Sequence, residues 1–231
     1  MGFYRGPTIV RDGLVLYLDA ANPKSYPGSG VDWKDLSGRN NGTLMNGPTF
    51  NSDKKGSILL DGVNDHIKFN NPISTLSGNT FDFWVKRIQS INQFNMIFGG
   101  TGSFPYMALR SNNRFHLSWR DSLDGSNPQR SLYSTNSFSD NKWYNFTCTL
   151  ITNIEAGTTK AILYINGLEE SRTTTDVDSF YVSAITPIIG DYNYYLNYPF
   201  YGGVSSARIY DRVLNEDEVL QNYNATKTRF K

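Results

Sequence analysis

The stretch TFDFWVKR, residues 80–87, sets Phe81, Phe83 and Val85 against Asp82, Trp84 and Lys86. Successive side chains of a strand point to opposite faces, so this alternation reads as a β-strand with two unlike faces. The same period recurs on both sides of it. GLVLYLDA (13–20) alternates Leu14, Leu16 and Leu18 with Val15, Tyr17 and Asp19, and RFHLSWR (114–120) alternates Phe115, Leu117 and Trp119 with Arg114, His116, Ser118 and Arg120. SILLDGVNDHIKF (57–69) reads as two strands around a turn, and AILYINGLEES (161–171) carries Asn166-Gly167, a strong hairpin signal. No stretch of helical period precedes the C-terminal segment, and strands do not alternate with helices, which excludes a parallel α/β sheet. The reading is all-β: two antiparallel sheets packed as a jelly-roll sandwich over residues 13–231, preceded by a short arm over residues 1–12.

The one helix is expected at LNEDEVLQNYN (214–224). Asn215 is a good N-cap with Glu218 three residues on, the signature of a capping box, and Glu216, Asp217 and Glu218 fill the first turn where the helix dipole favours negative charge. Residues two apart on a helix point about 200° away from each other. Glu216 and Glu218 therefore cannot converge on one glycosidic oxygen. Glu169 and Glu170 are adjacent and point to opposite faces, and Asp82 stands alone in its strand. A glycosidase needs two carboxyls about 5–9.5 Å apart, and no strand-borne pair of that kind is present. There is no Gly-x-Ser-x-Gly elbow, no phosphate-binding loop and no His-Glu-x-x-His motif. The expectation is a protein without catalytic residues.

The 231 residues carry 22 Lys plus Arg against 21 Asp plus Glu, so charge gives no case for nucleic acid, and no apolar run is long enough for membrane insertion or a signal-peptide core. The expectation is synthesis in the cytoplasm. Cys148 is the single cysteine and falls on an apolar strand face, so it reads as a small buried hydrophobe.

Four groups of residues are candidates for function. DGVNDHI (61–67) gathers the side-chain oxygens of Asp61, Asn64 and Asp65, which suit either a Ca²⁺ ion or a plain Asp-Gly turn; Asp35 and Asn41 offer the same choice on another loop. GDYNYYLNYPFYGG (190–203) is the most aromatic loop. There Asp191, Tyr192, Asn193, Tyr194 and Tyr195 combine rings that pack on sugar C–H faces with groups that bond hydroxyls, a mixture that suits a glycan or a protein partner equally. Trp119 joins them as a candidate, with Arg110 and Arg120, if its sheet face is concave. Phe3, Tyr4 and Arg5 on the arm are candidate anchors to a partner.

The fragments 13–30 (GLVLYLDAANPKSYPGSG), 33–50 (WKDLSGRNNGTLMNGPTF), 57–69, 163–167 (LYING) and 207–219 (ARIYDRVLNEDEV) together resemble laminin-G-like domains of the concanavalin-A-like lectin/glucanase superfamily, over nearly the whole chain. Residues 6–30 resemble most the small laminin-G-like proteins of tailed bacteriophages, which are virion components of fibre, tail or capsid-decoration type. The resemblance implies a jelly roll, a candidate Ca²⁺ site with no cofactor required, and a non-catalytic protein of the virion. Its implied partners are other capsid or tail proteins, further copies of itself and host cell-surface polysaccharide. A lectin module unconnected to a virion is the alternative, and a glycoside hydrolase the weaker one.

Overall fold

The structure, a computed structural model, describes residues 7–73, 78–100, 105–120, 129–153, 158–176, 185–191 and 197–231. Its strands in chain order are β1 (Leu14–Asp19), β2 (Asp32–Trp33), β3 (Gly42–Met45), β4 (Thr49–Asn51), β5 (Ser57–Asp61), β6 (His66–Phe69), β7 (Gly78–Arg87), β8 (Phe94–Gly100), β9 (Tyr106–Arg110), β10 (Phe115–Arg120), β11 (Gln129–Tyr133), β12 (Tyr144–Asn153), β13 (Thr158–Ile165), β14 (Leu168–Asp176), β15 (Pro187–Ile189) and β16 (Tyr201–Tyr210). They are followed by the helix α1 (Glu216–Thr226). Sheet I runs β14-β13-β12-β7-β16-β5-β4, with β1 also on β16. Sheet II runs β11-β10-β9-β8-β15-β6-β3-β2. The pairings are antiparallel, and the two sheets form the expected sandwich.

The alternating strands deliver one face each to the space between the sheets. Phe81, Phe83 and Val85 of β7 meet Phe98 of β8, with ring centroids 5.2 Å and 5.5 Å apart for the two phenylalanines, and Phe115 stacks on Phe146 at 4.6 Å. Cys148 is fully buried among them, where burial first and the charge of Asp82 second push its thiol well up, so it is inert. The expected hairpin is present: Asn166 (φ 53°) and Gly167 (φ 80°) join β13 to β14, both left-handed as a two-residue turn demands.

The segment 57–69 departs from the simplest reading. Its two strands do not pair with each other. β5 lies in sheet I against β16 and β4, and β6 lies in sheet II against β15 and β3, so the turn between them crosses from one sheet to the other. Strand β16 also serves two neighbours on one side. Tyr201–Val204 pair with β5, Ser206 onward with β1, and Ser205 sits at the irregularity between them. There the Ser205 carbonyl accepts from Ala20 N–H (2.9 Å) and its hydroxyl donates to Gly56 C=O (2.8 Å). Gly56 has φ 142°, and a Cβ there would stand 2.5 Å from the Ala20 oxygen, so only glycine fits.

The outer face of sheet I is covered over its central strands β7 and β16. α1 forms where the capping box placed it: Asn215 Oδ1 accepts from Glu218 N–H (2.9 Å), and Glu218 Oε2 from Asn215 N–H (3.0 Å). Arg212 grips the same carboxylate at 2.6 Å and 2.9 Å, which holds Glu218 below the usual carboxylate range. Trp84 of β7 stacks on Phe230 (3.9 Å) and Tyr223 (5.8 Å) and donates from Nε1 to Thr226 (2.9 Å). Beneath α1, Asp82 is not alone. It accepts from Arg208 (3.1 Å), Asn145 (2.7 Å) and Asn222 (3.3 Å), all of them buried. The described end of the N-terminal segment joins this layer: Ile9 and Val10 are buried, Val10 N–H donates to Asn222 (2.8 Å), and Tyr210 donates to Val10 C=O (3.1 Å). Residues 9 and 10 are thus packed into the domain, while Phe3, Tyr4 and Arg5 lie outside the described residues.

Candidate glycan-binding face

On the outer face of sheet II the strand-borne Met96, Tyr106, Ala108, His116 and Ser118 are buried, and a ligand can meet this face at the exposed Tyr133 and the half-exposed Arg110. Register sets its composition. Met96, Ala108, His116 and Tyr133 form one cross-strand row over β8, β9, β10 and β11. Ser118 stands between Tyr106 and Ser131 in the next row. His116 lies against Tyr133 with ring centroids 4.4 Å apart and planes within 10°, meets Tyr106 edge-on at 5.2 Å, and tilts toward Phe94 at 5.8 Å. Its Nε2 is 2.9 Å from Ser131 Oγ. Gln129 Nε2 donates to both Tyr106 Oη and Ser118 Oγ at 2.8 Å. The guanidinium of Arg110 sits 4.1 Å over Phe94. Burial, and secondarily the charge of Arg110, push His116 down to about 3, so it is a neutral ring at any ordinary pH. Its partner Tyr133 keeps one ring face on His116 and remains 41% exposed. That arrangement is an aromatic platform held from the side by His116, beside the half-buried Ser131 and the exposed Gln129.

The tyrosine-rich segment 190–203 enters this picture at its described ends. Tyr198 packs edge-on against Phe94 at 5.4 Å, and its carbonyl accepts from Met96 N–H (3.1 Å), which brings that end of the segment to the aromatic cluster. Asp191 is fully buried, so it is part of the fold and not an exposed ligand contact. Tyr192, Asn193, Tyr194 and Tyr195 lie outside the described residues. Trp119 is corrected. It is fully buried in the core between the sheets with Phe115 and Leu117, and its ring cannot reach a glycan.

The oxygens at 61–65 build a turn. Asp61 Oδ1 accepts from the backbone N–H groups of Val63 (2.8 Å), Asn64 (3.3 Å) and Asp65 (3.4 Å), and Asp65 Oδ2 accepts from Asp61 N–H (3.1 Å). Burial pushes the Asp65 carboxyl up, and its Oδ1 is buried without a hydrogen-bond partner among the described residues. Asn64 contributes its backbone here, its carbonyl accepting from Asn46 (2.8 Å). Asp35 is likewise saturated: it takes N–H bonds from Tyr17, Ser37, Arg39 and Asn40 and the Ser37 hydroxyl at 2.6–3.0 Å. Among the described residues no three His, Cys, Asp or Glu side chains gather as metal ligands would. A polar cleft of about 210 Å³ does open beside this second loop, lined by Gly38, Arg39, Asn40, Asn41, Asn70 and Asn71. Asn40 bonds across it to the Asn71 backbone (2.6 Å and 3.3 Å), so its amide ties the two loops together.

The model of the laminin G family described as the concanavalin A-like lectin/glucanases superfamily matches residues 61–220. The chain belongs to this superfamily. A search of curated proteins returned no match. Among solved structures, the superfamily's sandwich recurs in domain 4 of AbnA, a GH43 extracellular arabinanase from Geobacillus stearothermophilus solved with arabinotriose. That likeness has a TM-score of 0.69 and 18% identity, over 93% of this chain and 100% of that domain. It recurs in the receptor-binding domain of botulinum neurotoxin type G (TM-score 0.63, 19% identity, 92% of this chain and 51% of that one). It is also found in Trypanosoma rangeli sialidase (TM-score 0.67, 15% identity, 96% and 34%). The chain therefore spans about half of the neurotoxin domain and a third of the sialidase, and at these identities the likeness is one of fold.

Tyr133 and its pairing with His116 escaped the sequence reading. The signal was weak: both residues occupy outward positions of alternating strands, but which outward residues become neighbours depends on strand register, which local sequence does not state.

Proposed function

We propose that the chain is a non-catalytic glycan-binding module carried on the surface of a tailed-bacteriophage particle. The observation that carries glycan binding is the exposed Tyr133 platform, backed by His116 and bordered by Ser131 and Gln129. Aromatic anchors of this kind give large contact area at low entropy cost. The non-catalytic reading is supported by the strands beneath the platform. β3, β6, β8, β9, β10, β11 and β15 contain no Asp or Glu, so no strand-borne carboxylate pair can flank a glycosidic bond there. The virion placement rests on the resemblance of residues 6–30 to phage laminin-G-like proteins, and in that setting host cell-surface polysaccharide is the ligand and capsid or tail proteins are the partners.

A lectin module unconnected to a virion is the second reading. It is favoured by the end-to-end match with an arabinanase domain that was solved with an arabinose oligosaccharide. Two measurements test the pair. Binding of the isolated protein to a polysaccharide panel, lost in Tyr133→Ala while the unfolding midpoint stays within a degree or so, supports the platform; no binding to any polymer overturns it. Peptides of this chain in purified phage particles support the virion placement, and their absence leaves the free lectin. Release of reducing sugar from any bound polymer would overturn the non-catalytic reading.

A further inference from the structure

Charge is unevenly divided between the two sheets. The strands of sheet I carry six carboxylates (Asp19, Asp61, Asp82, Glu169, Glu170, Asp176) and five cations, whereas those of sheet II carry Lys68, Arg110, Arg120 and Arg130 and a single carboxylate, Asp32 on the edge strand β2. The chain as a whole is close to neutral, so this asymmetry is a property of the fold and not of composition. The strands that carry the aromatic platform are thus the more basic ones.

One of these cations has no ion-pair partner among the described residues. Arg110 follows Tyr106 and Ala108 on the outward positions of β9, and its guanidinium stacks on Phe94 at 4.1 Å. Arg172, Arg212 and Arg229, by contrast, are held by Glu169, Glu218 and Asp19. Stacking occupies a face of the guanidinium and leaves its N–H edge, the edge that grips two anionic oxygens at once. Successive outward residues of a strand lie about 6.6–6.8 Å apart and adjacent strands about 4.8 Å apart, so Arg110 and Tyr133, two residues along and two strands over, stand roughly 12 Å apart at their Cα atoms. A single sugar cannot bridge them, and an oligosaccharide can.

We propose that the ligand of this face is an acidic polysaccharide, whose sugar rings stack on Tyr133 while a carboxylate or sulfate of a neighbouring unit is held by Arg110. This rests on the glycan-binding reading and narrows it to a chemical class. An anion there meets a preorganised cation on strands β8 to β11 that carry no carboxylate, and the neighbouring Glu170 of β14 is already bonded by Thr135 and Asn136; a neutral glycan would use the platform and leave the charge idle.

The experiment measures binding of the protein to dextran, dextran sulfate and polygalacturonate by calorimetry at low and moderate salt. Wild type is compared with Arg110→Met, Arg110→Lys and Tyr133→Ala, each first checked for an unchanged unfolding midpoint. The expected result is at least tenfold tighter binding of one or both anionic polymers than of dextran. Arg110→Met reduces that binding to the dextran level, Arg110→Lys falls between, and Tyr133→Ala loses all three. Preference for dextran sulfate alone identifies sulfate as the recognised group, and preference for polygalacturonate identifies carboxylate. Equal binding of dextran and the anionic polymers, unaffected by Arg110→Met, overturns the acidic-ligand proposal and leaves glycan binding standing. Anionic binding that survives both Arg110→Met and Tyr133→Ala is diffuse ion exchange and overturns it too. No binding of any polymer removes the glycan reading itself.

Discussion

Replacing Asp82 by alanine should destabilise the domain severely. Asp82 and Arg208 are both fully buried on the outer face of sheet I, and Arg208 reaches Asp82 at 3.1 Å while its Nε and Nη1 have no hydrogen-bond partner. Asp82→Ala removes the counter-charge and leaves a guanidinium in a dry layer under α1. It also takes one acceptor each from the amides of Asn145 and Asn222, which keep Phe83 C=O and Tyr210 Oη. Breaking a buried pair in this way costs about 3–5 kcal/mol. For a domain of this size each kcal/mol moves the unfolding midpoint by roughly 2–4 °C, so the expected fall is on the order of 6–20 °C. Urea and thermal unfolding followed by tryptophan fluorescence read it directly, because Trp84 lies in the same layer. The double variant Asp82→Leu/Arg208→Met, which removes both charges and keeps apolar bulk, should recover most of the loss. A single variant within about 1 kcal/mol of wild type, or a double variant worse than the single, would refute the argument that the pair is dry and mutually required.

Three further outcomes follow from the same contacts. His116 is held near 3 in the folded state against about 6.5 unfolded, so the unfolded chain binds a proton the native state refuses: stability is full above about pH 6.5 and falls toward pH 3, by up to about 1.4 kcal/mol per pH unit, and urea titrations of His116→Gln should show a slope shallower by about one proton. Ca²⁺ and chelator should leave the thermal midpoint unchanged, since the Asp61 and Asp35 oxygens are already taken by backbone donors; a specific ion at 100 times its Kd would add about 2.7 kcal/mol, and a rise of that size would reinstate the site. Under the proposed virion placement, deleting residues 1–7 should leave the sandwich folded and abolish incorporation into particles. Deleting 1–12 should in addition lower stability, because it removes the backbone of Thr8 and Val10 from Gln221, Asn222 and Tyr210; full incorporation after the shorter deletion would place attachment elsewhere.

Much of the fold was legible because strand alternation and capping are local. Phe81, Phe83 and Val85 point inward as their spacing requires, Asn166-Gly167 turns a hairpin, and Asn215 with Glu218 caps the helix. Trp119 was misread as a candidate contact, although its parity with the inward Phe115 and Leu117 is the local signal that places it in the core. What local sequence withheld was partnership across long separations. Alternation says that Asp82 and Trp84 share the other face of β7 but not that this face is roofed by a helix more than a hundred residues later. It says that 57–69 holds two strands but not that they belong to opposite sheets. The Tyr133–His116 platform is likewise a product of register between β10 and β11.

The account stands on glycan binding at the outer face of sheet II, and amide chemical-shift mapping tests it most directly. Isotope-labelled protein is titrated with oligosaccharides cut from the polymer it binds. Perturbations should concentrate in β9, β10 and β11 around Ala108, Arg110, His116, Ser131 and Tyr133 and be absent from α1 and β7. Perturbations centred instead on the cleft at Gly38, Asn40 and Asn71, or spread evenly over the surface, would contradict it.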